Sequence, residues 1–342
     1  MNNRIPDKPF KTYDEQVDLL INRYGLKIKN RPFAIAALQS LTYYDLINGY
    51  KECFMHKITD TNGNISYKYS GDIPLEFIYY FSLVDKDIQA LLFKYSTIIE
   101  NSFKSKMAYV ISKNFGVFED TYLSPDNYFK SHHNILLSDV LESCHNAYDE
   151  SKGYKLQQPT NYYKHRHNHI PAWILFKNVS FSKIINLYQL LHRTEKVEVS
   201  KLILPSNAIS YSTKAEFIIG ALNLIRAFRN KIAHNLKFVT YKSRSRVKPD
   251  ALLGILPKCL LTKKDTKKHA LNDIYAYILC IYSLLGDDYL KKTFAFELLT
   301  RLRSLQQSDN KKALSAFSYY LEITELPNDV LFRFSNYLKL NK

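Results

Sequence analysis

Glycine is scarce in this 342-residue chain, at nine residues. A β-sandwich or barrel spends many glycines on tight turns, so the scarcity favours helices. No Cys-x-x-Cys pair occurs. Cys53, Cys144, Cys259 and Cys280 are widely scattered, so neither a zinc ribbon nor a thioredoxin-like centre has support. Met1 to Pro9 has no apolar signal core, and the most apolar run, Ile274 to Leu285, is too short and too tyrosine-rich to span a bilayer. The expectation is a cytoplasmic protein in a reducing compartment, with no membrane partner. A Gly-rich phosphate loop, a nucleophile elbow and a His-Glu-x-x-His pair are all missing. With no carboxylate cluster and no credible Cys/His set, neither a metal nor another cofactor is expected.

What is present is a large apolar fraction and a strong positive charge. Hydrophobic residues make up 46% of the chain, with 27 tyrosines and 20 phenylalanines, which argues for a sizeable core and against wholesale disorder. The formal charge of +16 favours polyanions such as RNA, DNA or an anionic membrane surface. A lysine-rich solvated surface gives the same number, and charge alone does not separate RNA from DNA.

The apolar spacing predicts an all-α protein, a mainly helical bundle, with one small β-hairpin near residues 57–69. Thr12 and Glu15 form a capping box that opens a first helix, stopped by Gly25. Pro32 starts a second helix running toward Ile47. Asn62-Gly63, between Ile58 and Ile65/Tyr67, is the hairpin signal. A long helical region follows Pro74 to Gly116, with a break expected near Ser82. The stretch from Gln157 to His169 reads as a loop, residues 239–268 as a basic segment with breakers, and the rest from Leu271 as two or three helices. Three parts are expected: a helical unit at 1–55, a core at 70–240, and a basic linker with packed helices at 241–342.

The most informative stretch is Arg229-Asn230-Lys231-Ile232-Ala233-His234. Arginine offers a planar fork of donors to a phosphate, and histidine moves protons near neutral pH. Together they suffice to cut RNA without a metal, because the RNA supplies its own 2′-hydroxyl nucleophile. The spacing alone is common, so its setting matters. Thr213 and Glu216 form an expected capping box, and Phe217, Ala221, Leu224, Ile225, Phe228 and Ile232 then build one apolar stripe. At about 100° per residue, Asn230 lies nearly opposite the stripe and His234 about 140° from it. Arg226 shares that outer face and Arg229 is on its flank. Lys231 and Lys237 adjoin the motif, and Lys242, Arg244, Arg246 and Lys248 follow it as an expected RNA path. Ordinary surface residues remain the plain alternative.

Other clusters carry less. His165, His167 and His169 on an extended strand would share a face and suit zinc, yet no acidic or cysteine partner lies near them in sequence. Surface contact, or base stacking by the interleaved aromatics, explains them better. Asp85 and Glu100 fall on one side of an ideal helix. A solvated face is the plain reading there, and Glu100 is a candidate for orienting a cation.

Several segments together resemble the Abi-like (AbiD/AbiF-type) family of bacterial abortive-infection proteins. Ala36 to Phe54 resembles that family's helix ending in "YY-x-L-x-GY…F", and Ile78 to Ser112, with Asp85 and Ile99-Glu100, is similar to its middle helix. His169 to Leu175, then Ser180 to Ile184 and Leu187-Tyr188, resembles its "PxWV … SFG-x-L-x-x-LY" run. Arg229-Asn230 with Ala233-His234 resembles "RN-x-x-AH". Ser182 stands where that run has glycine, and Asn235 to Phe238 departs from the polar or aromatic cluster usual after the histidine.

The resemblance implies membership of the HEPN superfamily of helical RNA-binding and RNA-cutting domains. It implies Arg229 and His234 as catalytic residues with Asn230 in support, and a homodimer, since one chain carries one motif. The leading reading is an endoribonuclease toxin of a phage-defence system, with an inhibitory RNA or a protein antitoxin as a candidate partner. An RNA-binding module without cleavage and a helical interaction protein are the competing readings.

Overall fold

The computed structural model describes residues 7–71, 73–151, 153, 155–205, 208–268, 271–306 and 311–340. The first six residues of the stretch read for a signal core lie outside these. The protein is mainly helical, with two small antiparallel sheets of two strands each among the described residues. Its Cα packing divides into two compact units, one of residues Met1–Ala90, Lys231–Thr240 and Arg301–Thr324, the other of Leu91–Asn230, Tyr241–Thr300 and Glu325–Lys342.

In the first unit, helix Tyr13–Asn22 opens on the Thr12/Glu15 capping box, in which each side chain accepts from the other residue's backbone N–H. Gly25 leaves it at φ +64°. Asn30 caps helix Arg31–Leu41. This helix stops earlier than its spacing predicts, because Thr42 takes a positive φ, and Tyr44–Asn48 forms a separate π-helical turn. The hairpin pairs Met55–Thr59 with Ile65–Tyr69. Asp60 organises its turn by accepting from Asn62 N, Asn64 N and Asn64 Nδ2, and Gly63 supplies φ +79°.

Helix Leu75–Phe115 runs 41 residues without the break expected at Ser82. Ser82 Oγ donates to the Tyr79 carbonyl at 2.6 Å, which satisfies the hydroxyl inside the helix instead of bending it. Phe54 and Phe77 meet Phe81 and Tyr319 edge-on or tilted in the core of this unit. Asp85 lies beside them, 1% exposed, and is no part of a solvated face. Its carboxylate accepts from Tyr50 Oη at 2.9 Å, Gln89 Nε2 at 2.6 Å and Tyr320 Oη at 3.4 Å.

The second unit centres on helix Ile274–Leu284, all eleven residues of which are buried. A helix apolar all round belongs inside a core, which is where the tyrosine-rich run goes. No helix among the described residues is long and apolar enough to cross a membrane. Phe228 stacks on Tyr277 with centroids 4.7 Å apart and planes within 8°. Tyr277 Oη shares a hydrogen bond with Ser96. Residues 157–169 are partly helical, over Thr160–Arg166, where a loop was expected. Ser131–His132 and Ile135–Leu136 form a second, unanticipated hairpin. The described residues after Leu271 hold four helices, Ile274–Leu284, Asp288–Gln306, Lys311–Thr324 and Val330–Leu340, more than the spacing suggests.

Burial of Asp85 has a measurable consequence. Its carboxyl is held up to about 6 by loss of water, against the opposing pull of the Tyr50 and Gln89 donors. An unfolded aspartate titrates near ~3.9. Between those values the folded chain keeps a proton that the unfolded chain has lost, so this group's contribution to stability falls as pH rises and levels off above the higher value. The stability difference between wild type and Asp85→Asn should therefore change by on the order of 2–3 kcal/mol from about pH 4 to about pH 7, read from urea unfolding. A difference that stays constant over that interval would contradict the assignment.

Candidate functional site

The helix that carries the motif, Tyr211–Ala233, begins two residues before the expected Thr213 cap. Ser210 Oγ accepts from Thr213 N at 3.2 Å, so serine does the capping. Glu216, freed from that role, pairs with Lys248 at 2.8 Å. Phe217, Ala221, Leu224, Ile225 and Phe228 are buried as the stripe requires, and Ile232 is half-buried.

Arg229 is half-buried, and its fork is occupied on two sides. One terminal nitrogen lies 3.3 Å from Glu100 Oε2, and the other donates to Asn230 Oδ1 at 3.1 Å. The guanidinium also sits 5.8 Å from the centre of the Phe93 ring. Glu100, with a side chain 13% exposed, holds Lys104 as well, at 2.9 Å. One carboxylate thus carries two cations and leaves a local surplus of one positive charge. Arg226, expected on the outer face, is half-buried and donates to Ser182 Oγ at 3.3 Å. A glycine at that position could not make this contact. The Nε atoms of Arg226 and Arg229 are both buried and have no hydrogen-bond partner among the described residues.

His234 is exposed and caps the helix. Beyond it Asn235 takes φ +52°. Asn235 N donates to the Ile232 carbonyl at 3.0 Å and Leu236 N to the Lys231 carbonyl at 2.9 Å, which closes the helix in the Schellman manner. Lys86 Nζ donates to Asn235 Oδ1 and ties the turn to helix Leu75–Phe115. By packing, Arg229 and Asn230 count with the second unit and His234 with the first.

The basic residues around the motif are less free than their spacing suggests. Lys237 pairs with Glu52, Lys242 with Glu325 at 2.7 Å, and Lys248 with Glu216. Lys231 is half-buried. Arg244 and Arg246 are exposed with no ion pair among the described residues. Their backbone is anchored: Ser243 and Val247 are buried, and a Cβ on Gly220 of the motif helix would come within 2.9 Å of the Arg246 carbonyl oxygen. His165 lies on a helix instead of a strand, so the alternation that would align it with His167 and His169 fails. Among the described residues no group of three His, Cys, Asp or Glu side chains is placed to hold a metal ion.

Sequence reasoning missed Lys104, Phe93, Lys86 and Asn235. Two had a readable signal. Glu100 and Lys104 are spaced i,i+4 on a helix, and asparagine just past a helix end is a frequent left-handed cap. Lys86 and Phe93 had none, because only tertiary packing brings them to the motif.

Compared with known proteins, residues 36–239 match the family model described as Abi-like protein. No curated protein and no solved structure matches the chain.

The left-handed turn after His234 is directly testable. Asn235→Val should lower stability by about 1–3 kcal/mol, because a β-branched residue is strained at positive φ, whereas Asn235→Gly should lose less. Thermal unfolding compares the two, and equal losses would show that the lost Lys86 contact, shared by both variants, dominates over backbone strain.

Proposed function

Starting from a chain that belongs to the Abi-like protein family, we propose a metal-independent endoribonuclease of an abortive-infection system, with Arg229 and His234 as its catalytic residues. The observation that carries this reading is the arginine itself. Its guanidinium is half-buried and held by Glu100 on the last turns of a helix that an exposed histidine caps. Restraint of this kind removes the entropy of ordering a long side chain before substrate arrives.

In the reaction, the 2′-hydroxyl oxygen of the RNA attacks the adjacent phosphorus. The 2′-hydroxyl gives up its proton, the bond from phosphorus to the 5′-oxygen breaks, and that oxygen takes a proton. The products are a 2′,3′-cyclic phosphate and a 5′-hydroxyl. His234 moves one of the two protons, and Arg229 stabilises the extra negative charge on the pentacoordinate phosphorus. Asn230 and Glu100 act as positioning residues, each holding one arm of the guanidinium. Arg244, Arg246 and Lys231, with Lys237, Lys242 and Lys248 at the cost of their ion pairs, would attract the RNA backbone.

Arg229→Ala or His234→Ala should reduce RNA cleavage by a factor of about 100 or more; the exposed His234 can be removed with the fold intact, whereas Arg229→Ala also lowers stability because Glu100 loses a partner. Cleavage by the wild type should persist in chelator and leave cyclic phosphate ends. Full activity in both variants, or a strict need for an added divalent metal, would overturn the assignment.

One chain supplies one motif, so we further propose a symmetric homodimer in which two motifs serve one phosphate. Mixing Arg229→Ala chains with His234→Ala chains should then restore part of the activity. A monomer that cleaves at the full rate, established by sedimentation with RNA present, would sink the dimer. An inhibitory RNA or a protein antitoxin would restrain such a toxin in the cytoplasm.

A second reading draws support from the same contact. Arg229 is already engaged by Glu100, which it shares with Lys104, as befits a module that binds RNA without cutting it. RNA retained by the purified protein, with no cleavage and no growth arrest on expression, would favour that alternative.

A further inference from the structure

A cavity of about 560 Å³ opens in the first unit, inside the size range of small-ligand sites. Lys8 and three stretches wall it: residues 40–52, the helical residues Ser82 to Gln89, and Asn235 to Phe238. The last stretch begins at the residue immediately after His234. We propose that this cavity receives one unpaired nucleotide of a single-stranded RNA, with the base inside and its phosphate on the rim lysines. The proposal rests on the ribonuclease reading for the identity of the polymer and gives it a substrate class.

The chemistry of the wall selects this ligand. Its ionisable side chains include four lysines (Lys8, Lys51, Lys86 and Lys237) and three carboxylates (Asp45, Glu52 and Asp85). The surplus of one positive charge matches the single negative charge of a phosphodiester. Lys237 is already paired with Glu52. Lys8 and Lys51 have no ion pair among the described residues, and Lys86 donates to the neutral Gln89 and Asn235, so these three charges can serve a phosphate. Asp85 and Gln89 are already satisfied by Tyr50, Tyr320, Lys86 and one another, and Asn48, which also lines the cavity, offers an amide of the kind that pairs with a base edge. Tyr44, 65% exposed, offers a ring on which a base can stack. A wholly apolar ligand would desolvate the rim lysines without supplying a counter-charge, and a polyphosphate would meet three carboxylates.

The location links the cavity to the proposed chemistry. Lys86 donates to both Gln89 Oε1 and Asn235 Oδ1, so the residue that would meet the phosphate also holds the turn beyond His234. A base engaged in a duplex is not free to enter, which makes single strands, loops and bulges the preferred substrates.

The test measures binding separately from cleavage. The probe is a short, fluorescein-labelled, 2′-O-methylated single-stranded RNA of mixed sequence, which lacks the nucleophile and cannot be cut by the proposed route. The full chain should bind it more tightly than the matching duplex. Tyr44→Ala should weaken single-strand binding at least about fivefold, and Lys51→Gln combined with Lys86→Gln about tenfold. Tyr44 and Lys51 are exposed, so the Tyr44→Ala variant keeps the test sound even if the lysine pair perturbs the fold. An RNA bearing 4-thiouridine should photocross-link to the peptide containing Tyr44. Unchanged affinity in both variants, equal affinity for duplex, or no binding at all would overturn the proposal. If the affinity pattern holds while natural RNA stays intact, the cavity stands and the ribonuclease reading falls. If RNA is cut while the variants bind normally, the ribonuclease reading stands and the cavity proposal falls.

Discussion

The rotational phase of the motif helix is the constraint on which the candidate site depends. Phe217, Ala221, Leu224, Ile225 and Phe228 must all be buried, and the stack of Phe228 on Tyr277 fixes the last of them against a helix that has no exposed face. Turning the helix to expose any one residue would cost its full burial, about 1.5–3 kcal/mol for a large apolar side chain. That penalty holds Arg229, next in sequence to Phe228, at the edge of the core, where Glu100 and Phe93 reach it.

Charge is managed locally throughout this basic chain. Glu100 serves Arg229 and Lys104 together, and Glu52, Glu216 and Glu325 each engage one lysine of the neighbourhood expected to bind RNA. The exposed pairs contribute little to stability, on the order of 0–1 kcal/mol each. They are therefore easily exchanged for a phosphate. The pair at Glu100 is different in kind. It is partly buried, and breaking it by removing one partner would leave a charge poorly solvated.

The helix end illustrates how backbone geometry places a side chain. Asn235 tolerates the left-handed conformation better than most residues, and its cap bonds stop the helix at His234. The imidazole is consequently exposed at a fixed terminus instead of continuing along a helical face. The same asparagine accepts from Lys86, which joins this turn to the wall of the cavity.

Much of this was legible in the sequence. Helical periodicity, the Thr12/Glu15 box, the Asn62-Gly63 hairpin and the buried stripe all follow from short-range spacing, which the chain obeys because its local preferences and its core agree. The order of motif segments was equally plain, and with it the family. Errors arose where a local signal had a competitor, local in two cases and tertiary in the third. Ser82 continues a helix because a carbonyl satisfies it, Ser210 displaces Thr213 as the cap, and Asp85 is buried because Tyr50, Tyr320 and Gln89 surround it. No periodicity indicates that Glu100 meets Arg229 or that Lys86 meets Asn235, since each pair is separated by more than a hundred residues. The sequence by itself determined the helical class, the stripe and the residue types at the motif. Tertiary structure alone decided which charges are paired, which arginines are half-buried, and where a cavity opens, because these depend on contacts between elements that no local spacing encodes.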